Sequence, residues 1–240
     1  MNWDVICFDL DNTLYNYEMT FEKTIEYCFE NLADQYGYPV DLSFGQWFPV
    51  FKYYCDLYWP MYSTRVMTRD QYRQKRYLDS LKEFHVKADN EHAERLQTLF
   101  NKNVHHFVVH FDGMKSFLEE LKSGHQKIGV ITNGKTEIQY NKLKKLGFLP
   151  FFQEKDIIIS DSVNASKPGT TIFKIAEKRI GNENDRFLYI GDSWELDIEG
   201  ARNAKWDAIY FNSRHEKMNY KDKMIKEVTS IEGLIKAVTN

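Results

Sequence analysis

The sequence predicts an α/β fold built on a parallel sheet and interrupted by a helical insertion. Three observations carry this. Five short segments, Asp4–Phe8, Lys127–Thr132, Asp156–Ser160, Phe187–Gly191 and Asp207–Phe211, are β-rich and near-continuously apolar rather than alternating, as parallel strands covered on both faces are. Amphipathic helical stretches separate the last four, which is the signature of βαβ units. Between Tyr15 and about His110 no strand run is convincing, and long helical stretches replace it.

In chain order, Val5-Ile6-Cys7-Phe8 reads as a buried strand. The insertion follows, with helical stretches such as Thr20–Tyr36 and Arg69–Phe84 and a crowd of rings at Trp47, Phe48, Phe51, Tyr53, Tyr54, Tyr58, Trp59 and Tyr62. Hinges are expected at Leu14–Met19 and Phe107–Gly113, giving a core of residues 1–14 and 113–240 around an insert of 15–112. In Met114–Leu121 the apolar set is Met114, Phe117, Leu118 and Leu121, with Gly124 beyond as a cap. Thr136–Leu146 ends at Gly147. Thr170–Ile180 carries Ile172, Phe173, Ala176 and Ile180 and stops at Gly181.

Composition bounds the function. The chain has 240 residues, 42% hydrophobic and 28% charged, enough for a sizeable core. A net charge of −3 argues against nucleic-acid polymers and anionic membranes as partners. Cys7, Cys28 and Cys55 have no metal-type spacing, and so sparse a set suits a reducing compartment. No stretch reaches the roughly 20 apolar residues of a membrane span, and the N-terminus lacks a signal-peptide pattern. A cytoplasmic protein is expected. The basic run Lys217–Lys226 reads as a solvated face.

Ligands in open parallel sheets collect at the carboxyl ends of the strands, and polar clusters stand there. Asp9-Leu10-Asp11-Asn12-Thr13 follows the first strand, and Thr132-Asn133-Gly134 ends the second. Ser166-Lys167-Pro168-Gly169 lies beyond the third. Gly191-Asp192-Ser193 ends the fourth, with Asp197 five residues past Asp192. Each alone passes as a turn or a helix cap; all four in this order around one sheet is a much rarer event. Adjacent buried carboxylates repel, so Asp9 and Asp11 call for a metal or a shared proton. His106 and His110 stand four apart but lack a third ligand with motif spacing, and no P-loop is present.

These four motifs resemble those of the haloacid dehalogenase-like hydrolases, and the match spans the whole core. The insertion right after the first motif resembles the helical C1 cap of subfamily IA. The resemblance implies a Rossmann-like sheet of order 5-4-1-2-3 with a mobile cap. It implies Mg²⁺, ligated by the Asp9 carboxylate, the Asp11 backbone carbonyl and Asp192. Asp197 is expected one step out, or as a partner of Lys167.

On residue type, Asp9 is expected as the nucleophile. A carboxylate with a reference pKa of roughly 3.9 is ionised at neutral pH and needs no activating base. Asp11 is expected as general acid and then base, its proton retained by its anionic neighbour and by burial. Thr132, the Asn133 amide and Gly134 are expected around the phosphate, with Lys167 as a fixed positive charge. Thr13 and Ser193 are expected to shape their loops. Within the family, members that expel halide lack an acid two residues after the nucleophile, so Asp11 points to phosphate esters. A sugar-phosphate mutase would also keep it.

Whole-chain features are most similar to a 5'-nucleotidase subgroup acting on nucleoside monophosphates. They are the Trp3-Asp4 start, Ile128-Gly129-Val130-Ile131-Thr132-Asn133-Gly134 with Gln139 downstream, and Asp197-Ile198-x-Gly200. The expected partner is therefore a small phosphorylated metabolite. Sugar-phosphate or phosphoglycolate hydrolysis is the alternative, and a non-catalytic phosphate-binding module the remaining one. Rings of the insert could stack a nucleobase or simply form its core. The oligomeric state is open.

Overall fold

Strand Val5–Phe8 sits at the centre of a six-stranded sheet in a computed structural model that describes residues 2–182, 184–216 and 225–239. In chain order the strands are β1 (Val5–Phe8), β2 (Tyr15–Asn16), β3 (Val109–His110), β4 (Lys127–Thr132), β5 (Ile157–Ile159), β6 (Phe187–Gly191), β7 (Asp207–Phe211) and β8 (Lys226–Val228). The large sheet runs β5-β4-β1-β6-β7-β8, and every neighbouring pair is parallel. The five expected strands thus take the 5-4-1-2-3 order, with β8 added outside β7. Sequence reading missed β8 because it has three residues, of which Lys226 and Glu227 are exposed and Val228 alone is buried. The basic run Lys217–Lys226 falls outside the described residues apart from its last two.

The continuous apolar runs have a simple cause, for both faces of the sheet are covered. Ile6 and Phe8 of β1 pack with Val130, Leu188 and Ile190 against Phe117, Leu118 and Leu121 of helix Met114–Ser123. Val5 and Cys7 point the other way, into Ile172, Phe173, Ala176 and Ile180 of helix Thr170–Ile180. Each fully buried aliphatic or ring side chain contributes about 1.5–3 kcal/mol. Helices Met114–Ser123, Thr136–Lys145 and Thr170–Ile180 match the expected stretches to within two residues.

The chain divides into two compact units, residues 1–20 with 108–240 and residues 21–107. The expected boundaries, after residues 14 and 112, fall inside the first unit. There β2 and β3 pair antiparallel, Tyr15 opposite His110, and tie both connections to the sheet unit.

The second unit is helical. Helices Phe44–Ser63, Arg69–Lys82 and Asn90–Asn103 follow Tyr17–Tyr36, which runs into it from the first unit. Thr68 and Asp89 cap the second and third of these. Pro49 and Pro60 lie inside Phe44–Ser63 and mask it in the sequence. Trp47, Phe51 and Cys55, four apart, give it a buried face all the same. Trp47 stacks on Phe29 and Phe51, each at 4.7 Å, and donates to Ser80 Oγ at 2.9 Å. Of the crowded rings, Trp47 and Phe51 are therefore core. Tyr54 and Tyr58 are tied by their hydroxyls to Glu83 and Asp79. Tyr53 and Trp59 remain 60% and 51% exposed.

Candidate active site

Sheet register places the site. Phe8 of β1 is level with Val130 of β4 and with Ile190 of β6. Asp9, one residue past that row, and Thr132 and Asp192, two past it, therefore all emerge at the carboxyl edge. Asp9 is fixed by its N–H to Ile190 O at 2.8 Å. Gly191 is required beside it, because a Cβ there would lie 2.4 Å from the Asp197 carboxylate.

Lys167 joins the motifs. Its Nζ lies 2.5 Å from Asp9 Oδ1, 2.6 Å from Asp197 Oδ1 and 2.9 Å from Tyr189 Oη. Tyr189 in turn donates to Ile131 O at 2.7 Å. Burial works against the ammonium, but the charges of Asp197 and Asp9 outweigh it and hold the Lys167 pKa above its usual value. Burial pushes Asp9 up to about 7, the Asp197 and Asp11 charges adding to the rise and Lys167 opposing it. Burial thus works against the expected ionised Asp9, and Lys167 supplies positive charge beside it. In this dry pocket it needs compensating positive charge.

Asp11 differs more from expectation. Burial alone would raise its pKa, yet Lys142, Tyr15 and Gln139 together hold it below the usual carboxylate range. Lys142 Nζ lies 2.7 Å from Oδ1, Tyr15 donates to the same oxygen, and Gln139 Nε2 reaches Oδ2 at 3.1 Å. These partners favour the ionised form of Asp11, against the expected proton retention. The neighbour that decides Asp11's state is a lysine that the sequence reading never considered.

Asp192 is buried and its pKa is raised well above the usual range by desolvation, with Asp9 and Asp197 adding and Arg214 opposing. Arg214 Nη2 stands 3.1 Å from Asp192 Oδ2. Asp9, Asp192 and Asp197 each bring a carboxylate oxygen within 4.8 Å of the others. This all-oxygen donor set fits a hard divalent cation such as Mg²⁺. Asp197 is already committed, to Lys167 and to the Ser193 N–H at 2.9 Å. His106 and His110 belong to no such cluster among the described residues.

The other expected residues divide by their partners. Thr132 Oγ1 accepts from Gln139 at 2.7 Å, which leaves its hydroxyl hydrogen to donate. The Asn133 side chain is spent on the Lys167 backbone, accepting from its N–H and donating to its carbonyl, each at 3.0 Å. Gly134 N–H donates to Ser160 Oγ at 3.0 Å. Ser193 Oγ accepts from Leu196 N–H and caps a π-helical turn, Trp194–Ile198. The Thr13 hydroxyl is buried and makes no hydrogen bond among the described residues. Sequence reading passed over Tyr15, Lys142, Tyr189 and Arg214. A weak signal existed for one of them: Lys142 is one helical turn from Gln139.

A doubly wound parallel sheet with an acidic cluster and a buried lysine at its carboxyl edge makes this a Rossmann-like α/β protein. The chain belongs to the haloacid dehalogenase-like hydrolases, whose family model matches residues 3–205. It is 26% identical over 223 residues to a pyrimidine 5'-nucleotidase of Escherichia coli, covering 90% of this chain and 88% of that one. It is 41% identical over 103 residues to a glyceraldehyde 3-phosphate phosphatase of Methanothermobacter thermautotrophicus, covering 43% of this chain and 45% of that one. Its fold matches a HAD-hydrolase of Bacillus subtilis solved bound to magnesium, with TM-score 0.80, 23% identity and full coverage of both chains. Among the described residues no helix is long and apolar enough to cross a membrane.

Proposed function

We propose that this hydrolase is a Mg²⁺-dependent phosphatase of small metabolites that acts on nucleoside 5'-monophosphates through an aspartyl phosphate on Asp9. The observation that carries the reading is the buried Asp9–Lys167–Asp197 chain, with ion pairs of 2.5 and 2.6 Å, set beside Asp192. In this reading Asp9 attacks phosphorus and the bond to the leaving oxygen breaks. Asp11, which takes up a proton from water when the anionic phosphate group binds beside it, gives that oxygen its proton. Asp11 then takes a proton from water, whose oxygen attacks phosphorus, and the bond to Asp9 breaks to release phosphate.

Lys167 faces the charge of the transferring group, and the Thr132 hydroxyl donates to a phosphoryl oxygen. Because the Asn133 amide side chain is engaged, its contribution is through its backbone N–H. Asp9, Asp192 and the Asp11 carbonyl would hold the cation, which would supply positive charge against the phosphate. Residues 21–107 are proposed as the inserted cap. In that unit Tyr53 and Trp59 keep exposed rings. The buried thiols of Cys7, Cys28 and Cys55 fit a cytoplasmic setting.

The nucleotide assignment draws on the near-full-length similarity to the E. coli nucleotidase. Triose- or sugar-phosphate hydrolysis is the second reading, favoured by the 41% identity to the archaeal phosphatase. A purely phosphate-binding role is disfavoured, since it has no need of Asp9 and Asp11 together. Assay of a panel of nucleoside monophosphates and sugar phosphates with Mg²⁺ tests the assignment. Turnover of nucleotides is expected. Turnover of sugar phosphates alone would remove the nucleotide reading.

A further inference from the structure

Helix Thr136–Lys145 carries Lys142, Lys144 and Lys145 in its last turn, with Lys135 just before its start. Lys135, Lys144 and Lys145 are exposed, whereas the Lys142 side chain is only 5% exposed. Its Nζ lies over the Tyr15 and Tyr17 rings, 5.7 and 5.2 Å from their centroids, and ends on Asp11 Oδ1 at 2.7 Å. Burying an ammonium against one half-exposed carboxylate is a poor route to stability, since desolvation offsets most of the Coulombic gain. A geometric role accounts for it better. Lys142 and the Tyr15 hydroxyl both take Oδ1, while Oδ2 meets the neutral Gln139 amide at the longer distance of 3.1 Å. The two oxygens of Asp11 are therefore not equivalent.

We infer that Lys142, with Tyr15, is a positioning residue that anchors Asp11 by Oδ1 and so reserves Oδ2 as the oxygen that delivers and recovers the proton. The inference rests on the phosphatase reading. A carboxyl pinned through one oxygen presents the other in a fixed place, and an ångström of misplacement can cost about 10²-fold in rate. Lys142 itself exchanges no proton with substrate.

Leaving-group dependence tests this. An alkyl phosphate such as UMP needs a proton on its departing oxygen, whereas p-nitrophenyl phosphate expels a stable phenolate without one. The quantity read is the kcat/KM for UMP divided by that for p-nitrophenyl phosphate. Lys142→Met should lower this ratio by about 10-fold or more, within the range that general acid catalysis supplies. Tyr15→Phe should lower it in the same direction by less. In an Asp11→Asn background, Lys142→Met should change the ratio no further, because both act through one oxygen. Urea unfolding curves that match wild type show that each variant is folded. If Lys142→Met disrupts folding, the Tyr15→Phe ratio decides alone. An unchanged or raised ratio, or effects that multiply with Asp11→Asn, would overturn the inference. A wild-type protein that hydrolyses neither ester would instead remove the phosphatase reading beneath it.

Discussion

Lys167 Nζ reaches Asp9 Oδ1 at 2.5 Å across 158 positions of sequence, and both groups are buried. The same ammonium holds Asp197 at 2.6 Å. One cation thus links the carboxyl edge of β1, the loop after β5 and the turn after β6. Taking it away leaves two carboxylates facing each other in a dry site.

Lys167→Met should therefore lose both chemistry and stability. Removing one member of a buried ion pair costs roughly 3–5 kcal/mol, and loss of a fixed positive charge at the transferring group about 10²–10³-fold in kcat. Urea unfolding and steady-state kinetics read the two effects separately. Wild-type kcat in a folded Lys167→Met protein would contradict the role given to this lysine.

Metal dependence has a readout besides turnover. EDTA should abolish activity and Mg²⁺ restore it. A cation that binds only the native state should also raise the thermal midpoint, with a gain of about 2.7 kcal/mol at 100 times its Kd. Asp192→Asn should remove most of that gain while the sheet stays folded. An Asp192→Asn protein that Mg²⁺ stabilises as much as wild type would show that the cation binds elsewhere.

Gly191 tests the packing at the strand end. A methyl group there would stand 2.4 Å from the Asp197 carboxylate, which is itself held by Lys167 and the Ser193 N–H. Gly191→Ala should displace Asp197, at about 1–3 kcal/mol for the overpacking, and lower kcat more than it raises KM. Melting curves with paired kinetic constants measure this. A variant as stable and active as wild type would mean that the turn yields freely.

Core packing gives a control away from the chemistry. Leu118 is fully buried between helix Met114–Ser123 and the sheet. Leu118→Ala should cost about 2–5 kcal/mol in urea unfolding while leaving kcat near wild type below the melting range. A comparable fall in kcat at full folding would show that packing at this face reaches the site.

How far the sequence discloses all this depends on the range of the interaction. Strands such as Val5–Phe8 and Phe187–Gly191 are legible because burial on both faces leaves a continuous apolar run. Asp9, Lys167 and Asp192 are legible because each follows such a run or opens a turn with a known shape. Helix Phe44–Ser63 is obscured locally, since Pro49 and Pro60 oppose what Trp47 and Phe51 enforce through packing. Lys142 is illegible for a different reason. It is one of several lysines around one helix, and only the fold shows that it alone turns inward to Asp11. The state of Asp11 could not be read either, because the groups that set it lie 4 to 131 positions away.

The central claim is a phosphoryl group carried on Asp9, and peptide mapping of acid-quenched enzyme during turnover of UMP tests it most directly. The account predicts one phosphorylated peptide, containing Asp9, that hydroxylamine strips, together with its absence and lost turnover in an Asp9→Asn variant that still binds UMP. Full turnover by Asp9→Asn, or a trapped phosphoryl group on a peptide without Asp9, would contradict it.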